Sequence, residues 1–179
     1  EDGKQEVASA EIAADNTNTL PINDASGWNH VTTDIYTVHD YDQNPNNISE
    51  RYAKLTPEDP DQAYRNEPVF DAPYKGQPYV IDEYGGTLWT KEHENKPKKR
   101  DTREEWGYGK SREEVAELIA EVTQPLLDNP NIAGYTYTQL TDVEQEVNGI
   151  YTYDRELKFD QNFLEKVFGG KAAIEEKSE

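Results

Sequence analysis

Four short apolar segments, each running out into polar and aromatic residues, set the limits on how this chain folds. Leu20-Pro21-Ile22 opens into Asn23-Asp24-Ala25-Ser26-Gly27-Trp28, and Asp34-Ile35-Tyr36-Thr37-Val38-His39 into Asp40-Tyr41-Asp42-Gln43. Tyr79-Val80-Ile81 runs into Asp82-Glu83-Tyr84-Gly85-Gly86, and Ile132-Ala133-Gly134-Tyr135-Thr136-Tyr137-Thr138 into Gln139-Leu140-Thr141-Asp142. Segments of this length and composition read as strands. Separated by helical or loop stretches, they predict an α/β chain with a parallel sheet and its functional edge at the strand C-termini. The third segment is the most informative, because it sets the Glu83 carboxylate at the mouth of a buried strand. Taken alone, the same pattern fits a solvated residue where Gly85 and Gly86 end a strand, and short patterns of this kind are more often structural than catalytic.

The intervening residues fit that scheme. The stretch 42–78 carries six prolines, with a helical turn or two around Ile48 to Leu55, and reads as a loop-rich excursion rather than a domain. Ser111 and Glu114 form a capping box ahead of Val115, Leu118, Ile119 and Val122, which share one helical face. Pro125 is expected to kink or shorten the last turns of that helix, and Asp128-Asn129-Pro130-Asn131 to stop it. A short helix is predicted near Gln161 to Phe168, ahead of a charged tail at 171–179. Residues 1–19 are polar and too weakly patterned to hold a helix alone.

Composition excludes several functions. The chain has 179 residues, 34% hydrophobic and 31% charged, so it can bury a core, but a narrow one. Its net charge of −19 opposes association with nucleic acid and with anionic membranes. The basic run Lys96-Pro97-Lys98-Lys99-Arg100 sits between Glu92, Glu94, Glu104 and Glu105 and reads as a solvated loop. With no cysteine, disulfides, thiol nucleophiles and thiolate metal ligands are ruled out. With no methionine either, even at position 1, the chain is expected to begin at an internal residue. No apolar stretch nears the roughly 18 residues of a bilayer span, so a soluble segment is expected, and either a cytoplasmic or a secreted setting fits. Asn47-Ile48-Ser49 is a glycosylation acceptor pattern that occurs readily by chance.

Five motifs, in order, now carry a resemblance: Asn23-Asp24-Ala25-Ser26-Gly27-Trp28, Asp34 to Tyr41, Ile81-Asp82-Glu83-Tyr84-Gly85-Gly86, Trp106-Gly107-Tyr108-Gly109 and Ala133 to Glu146. Together they resemble glycoside hydrolase family 2, from about Asp15 to Phe168. The resemblance implies a partial (β/α)8 TIM barrel, with residues 1–170 as the C-terminal half of a catalytic barrel, about strands five to eight. It implies a retaining hydrolase of β-glycosidic bonds, β-galactosidase-like as a first reading, with no cofactor and no metal. Its partners would be a carbohydrate substrate and the missing N-terminal part of the same enzyme.

The resemblance also implies roles. Glu83 stands at the family's nucleophile position, and Asp82 where Ser or Thr is commoner. Strand alternation is expected to turn Asp82 away from Glu83, which avoids a like charge that would raise the nucleophile's pKa. Tyr41 stands where a tyrosine hydrogen-bonds the nucleophile, although an exposed loop tyrosine reads equally well. His39 reads as a contact to sugar hydroxyls or as a satisfied core histidine. Tyr137 stands where many members place a tryptophan under the sugar, Gln139 at the same strand exit reads as a substrate contact, and Trp106 as a stacking or a packing residue. A retaining mechanism needs a second carboxylate roughly 5 Å from the first, which the family takes from an Asn-Glu pair at the end of strand four. The only Asn-Glu here, Asn66-Glu67, follows the second strand and ends no apolar run, so it is rejected as the acid/base.

The segment is therefore expected to hold half a catalytic site, to be inactive alone, and to be either an excised piece or a proteolytic product that stays with its N-terminal half. Two rivals come from other classes. One is a non-catalytic carbohydrate-binding or interaction module of barrel ancestry. The other is an acidic metal-binding domain using Asp40, Asp42, Asp142 and Glu144, which lacks any EF-hand spacing or histidine cluster among His30, His39 and His93.

Overall fold

The computed structural model describes residues 20–94 and 110–178. Three parallel strands, β1 (Tyr36–Asp40), β2 (Tyr79–Gly85) and β3 (Ile132–Thr138), lie side by side in chain order. Parallel neighbours need crossover connections. The first carries helix α1 (Pro45–Tyr52) and a 3₁₀ turn at Pro60–Gln62, and the second carries helix α2 (Arg112–Leu127). Helix α3 (Gln161–Phe168) follows β3.

β1 is buried along its whole length, as a parallel strand covered on both faces must be. Tyr36 and Val38 of β1, Tyr79 and Ile81 of β2 and Ile132 of β3 pack with Ile48 and Tyr52 of α1 and Val122 and Leu126 of α2 into the main core. Tyrosines fill much of it: Tyr36 stacks on Tyr79 at 5.9 Å and Tyr74 meets both rings edge-on at 5.5 Å. Wide rings let a chain poor in apolar residues still bury area. Val115 and Ile119 pack with Ile150 and Phe159 in a second cluster, flanked by Phe163 and Leu164 of α3.

Helix α1 begins at Pro45, with Asn44 accepting from the Asn46 N–H. Its inner face is fastened to the end of β1, where Tyr52 donates to Asp40 Oδ2 at 2.9 Å and Arg51 reaches Asp40 and Asp42 at 2.5 and 2.9 Å. Helix α2 opens with the Ser111/Glu114 capping box, both bonds formed. It runs through Pro125 to Leu127, so the expected shortening does not occur. Proline removes a single N–H near the helix end, and burial of Leu126 and Leu127, at about 1.5–3 kcal/mol each, holds the turn.

The expected first strand is not formed. Pro21 has no N–H, the Ile22 carbonyl accepts from Asp34 and Ile35, and the Ile22 N–H turns to the Asp34 side chain, so the segment crosses near β1 without a ladder. The sheet therefore has three strands where the sequence suggested four, and the described residues form an open α/β sheet with its helices, not a closed barrel. Part of the charged tail takes up a 3₁₀ turn, Ala173–Ser178.

Candidate functional site

The C-terminal ends of β1 and β2 carry the clustered ionisable groups. Glu83, near the end of β2, has a side chain 38% exposed. The Tyr41 hydroxyl, one residue beyond β1, donates to Glu83 Oε2 at 2.5 Å. Burial, and then this bond to a carboxylate, push the Tyr41 phenol up to about 12, so it remains a donor across the working range of pH. Gln43 holds the exit loop in place, its amide donating to the carbonyls of Gly85 and Tyr41 and accepting from Thr87.

His39, the fourth residue of β1, is 9% exposed and lies between two acids. Its Nδ1 is 3.3 Å from Glu83 Oε2 and its Nε2 is 3.5 Å from Asp82 Oδ1. Alternation would have sent Asp82 and Glu83 to opposite faces, and the pairing register shows why they share one ring. Val38 lies opposite Ile81 and His39 opposite Glu83, so Asp82 is an extra residue on β2, and the ladder to β3 shifts at the same place. A bulge of this kind re-aims side chains at a strand end. The expectation that Asp82 points away is corrected accordingly. Burial pushes the Asp82 carboxyl up, opposed by its bond from Ser26 and by His39.

The loop 23–28 closes one side. Ser26 Oγ donates to Asp82 Oδ2 at 2.8 Å and lies 3.2 Å from His39 Nε2. Trp28, 48% exposed, meets the His39 ring edge-on at 5.6 Å. Gly27 has φ +63, and a Cβ there would stand 1.9 Å from the imidazole Cδ2, so only glycine lets the ring pack on the backbone. On the other side Asn66 accepts from the His39 N–H at 2.9 Å and donates to its carbonyl at 2.7 Å, as a neighbouring strand would. Glu67 is exposed and its carbonyl closes a turn to Phe70 and Asp71.

The other sequence-derived candidates lie elsewhere or are engaged. The Tyr137 ring packs edge-on against Tyr84 and tilted against Phe168, both at 5.5 Å, and it lies over Gly85, whose φ of +90 and lack of Cβ make room for it. Gln139 follows a cis peptide bond and donates to Asn148 and Glu146 within its own loop. Trp106 and its motif lie outside the described residues. Of the acids considered for a metal, Asp40 and Asp42 are paired with Arg51, and Asp142 with Lys158. No group of three or more candidate ligands is found among the described residues. A cleft of about 700 Å³ lies between α2 and residues 157–163, lined by Ala116, Ala120 and Phe163 and by none of the Glu83 group.

Sequence reasoning named Glu83, Tyr41 and His39 and gave no role to Ser26, Gly27, Trp28 or Asn66. Ser26, Gly27 and Trp28 belong to a motif already singled out, so its small residues beside an aromatic were a usable signal. Asn66 reaches His39 across 27 positions and left none.

No protein-family model and no curated protein matches the sequence. Among solved structures, a family 2 β-galacturonidase from Eisenbergiella tayi, bound to glycerol, is similar with a TM-score of 0.53 at 13% identity, over 78% of this chain and 24% of its own. A β-glucuronidase from an uncultured Clostridium sp. has a TM-score of 0.46 at 14% identity, over 77% and 23%. A Bifidobacterium dentium β-glucuronidase complexed with coumarin-3-O-glucuronide has 0.43 at 19%, over 77% and 21%. This chain thus spans about a quarter of the length of these glycosidases, and it shares its fold with a part of the first.

Proposed function

We propose that this chain supplies the nucleophile of a retaining β-glycosidase of family 2 type. The observation that supports it most is the convergence of Tyr41 and His39 on one oxygen of Glu83, at the C-terminal ends of adjacent parallel strands. With Oε2 engaged, Oε1 is the oxygen that attacks the anomeric carbon. The Oε1–C1 bond forms as the bond from C1 to the leaving oxygen breaks, and water later reverses the ester. Tyr41 holds the carboxylate in the attacking orientation, and the half-exposed face of Trp28 is open to the C–H side of a sugar ring. The mechanism also needs an acid/base carboxylate roughly 5 Å from Glu83 to protonate the leaving oxygen.

Among the described residues, the charges around Glu83 make a neutral sugar such as a β-galactoside the first substrate to test. Asp82 and Glu83 flank His39, while Arg51 is committed to Asp40 and Asp42, and Lys158 to Asp142. A substrate carboxylate would meet like charge there.

The test uses the polypeptide that carries the complete catalytic domain. A 2-deoxy-2-fluoro β-galactoside should label the peptide containing Glu83, and Glu83→Gln should lower kcat by at least about 10³-fold, as loss of a covalent nucleophile does. Labelling of another carboxylate removes the assignment. Faster turnover of nitrophenyl β-glucuronide than of β-galactoside removes the preference for a neutral sugar.

A further inference from the structure

We propose that Asp82 is a positioning residue that, with Ser26, fixes a proton on Nε2 of His39, so that any proton between His39 Nδ1 and Glu83 is a separate one. Its meaning for catalysis rests on Glu83 being the nucleophile, whereas its test does not.

Hydrogen-bond direction carries the inference. An ionised carboxylate only accepts, so across the 2.8 Å contact the Ser26 hydroxyl proton points at Asp82 Oδ2. The Ser26 oxygen then offers lone pairs to His39 Nε2 at 3.2 Å, and Asp82 Oδ1, buried and without a hydrogen-bond partner, stands 3.5 Å from the same nitrogen. With two acceptors in front of it, Nε2 carries hydrogen. A neutral ring has one N–H, and here it is spent on that side. Nδ1 would then turn a lone pair toward Glu83 Oε2, which already accepts from Tyr41. A bond across that 3.3 Å gap requires a second ring proton, or one on Glu83. The titratable groups that face the ring are Asp82 and Glu83 from β2 and Tyr41 from the β1 exit. The loop 23–28 presents Ser26 and Trp28, and Asn66 binds only the His39 backbone. The bulge makes this possible, since regular alternation could not bring two consecutive acids to opposite nitrogens of one ring.

Long-range ¹H–¹⁵N correlation spectra of ¹⁵N-histidine-labelled protein report which ring nitrogen bears hydrogen without any turnover. Wild-type His39, assigned with a His39→Gln sample, should show protonated Nε2 throughout a pH titration, alone at high pH. In Asp82→Asn the new amide donates to Ser26, the hydroxyl turns to Nε2, and the ratio of Nδ1–H to Nε2–H tautomer should rise at least tenfold. Asp82→Glu should restore the wild-type pattern, and Ser26→Ala should keep Nε2–H through Asp82 Oδ1. His30, which contacts Asp24 and Thr37 and not Asp82, is the folding control. A neutral Nδ1–H tautomer in the wild type overturns the proposal without any variant, as does an unchanged tautomer in a folded Asp82→Asn protein.

Discussion

The mouth of β1 and β2 and the loop that follows β3 both bury charge, and they do so in opposite ways. In the loop, the Lys158 side chain is 1% exposed, and its ammonium donates to Asp142 at 2.6 Å, to the Val147 carbonyl at 2.9 Å and to the Trp89 carbonyl at 3.0 Å. Asp142 in turn accepts from the Gly149 N–H. Burial lowers the Lys158 pKa, and the bond to Asp142 acts against it. Every hydrogen of the ammonium has an acceptor, so the pair is a fixed staple. At the mouth, two consecutive acids share one imidazole, one Asp82 oxygen has no hydrogen-bond partner, and Glu83 is partly open to solvent. A satisfied pair resists change, while an incompletely satisfied one leaves a group free to bind or react.

This contrast can be broken from either side. Lys158→Met should have the largest effect on folding, about 3–5 kcal/mol, because it strands Asp142 in the interior. Denaturant unfolding measures it, and the His39 tautomer should not move. At the mouth, Tyr41→Phe removes a bond to a carboxylate worth about 1.5–3 kcal/mol, so, on the proposed role of Glu83, kcat of the complete catalytic domain should fall roughly 10- to 100-fold with the fold intact. A loss of stability equal to that of Lys158→Met would show the mouth to be a second staple. Gly27→Ala should cost about 1–2 kcal/mol in backbone strain and also displace His39, visible as a change in its ring shifts.

The smallest effect is on acid stability. Burial raises the pKa of Asp24 and Asp42, but it is outweighed by bonds from His30, Val31 and Thr32 to the first and from Asn44, Arg51 and Asn47 to the second. Both folded values lie below the ordinary 3.8, so their contribution is complete above that pH and is lost as pH falls through the lowered values. The melting temperature should decline below about pH 3.8, and the double variant Asp24→Asn, Asp42→Asn should flatten the decline.

Much of the framework was legible in the sequence. β3 and α3 occupy the residues read for them, and α2 starts at its capping box, because each of these signals lies within a few residues of what it governs. Glu83 could be named because it ends an apolar run, whereas Tyr41 and His39 entered only through the resemblance of their segments to a known family. Leu20 to Ile22 failed as a strand because the Ile22 N–H found the Asp34 side chain, a choice that local propensity does not encode.

By itself the sequence determined the alternation of strands and helices, the acid at the end of β2 and the absence of thiol chemistry, since these follow from periodicity, capping and composition. Only the tertiary structure decided that Asp82 and Glu83 would meet on one ring. That meeting depends on a one-residue slip between β1 and β2, on Ser26 reaching Asp82 across 56 positions, and on Asn66 closing the edge of β1. Such contacts are set by how separate segments pack, and no local pattern records them.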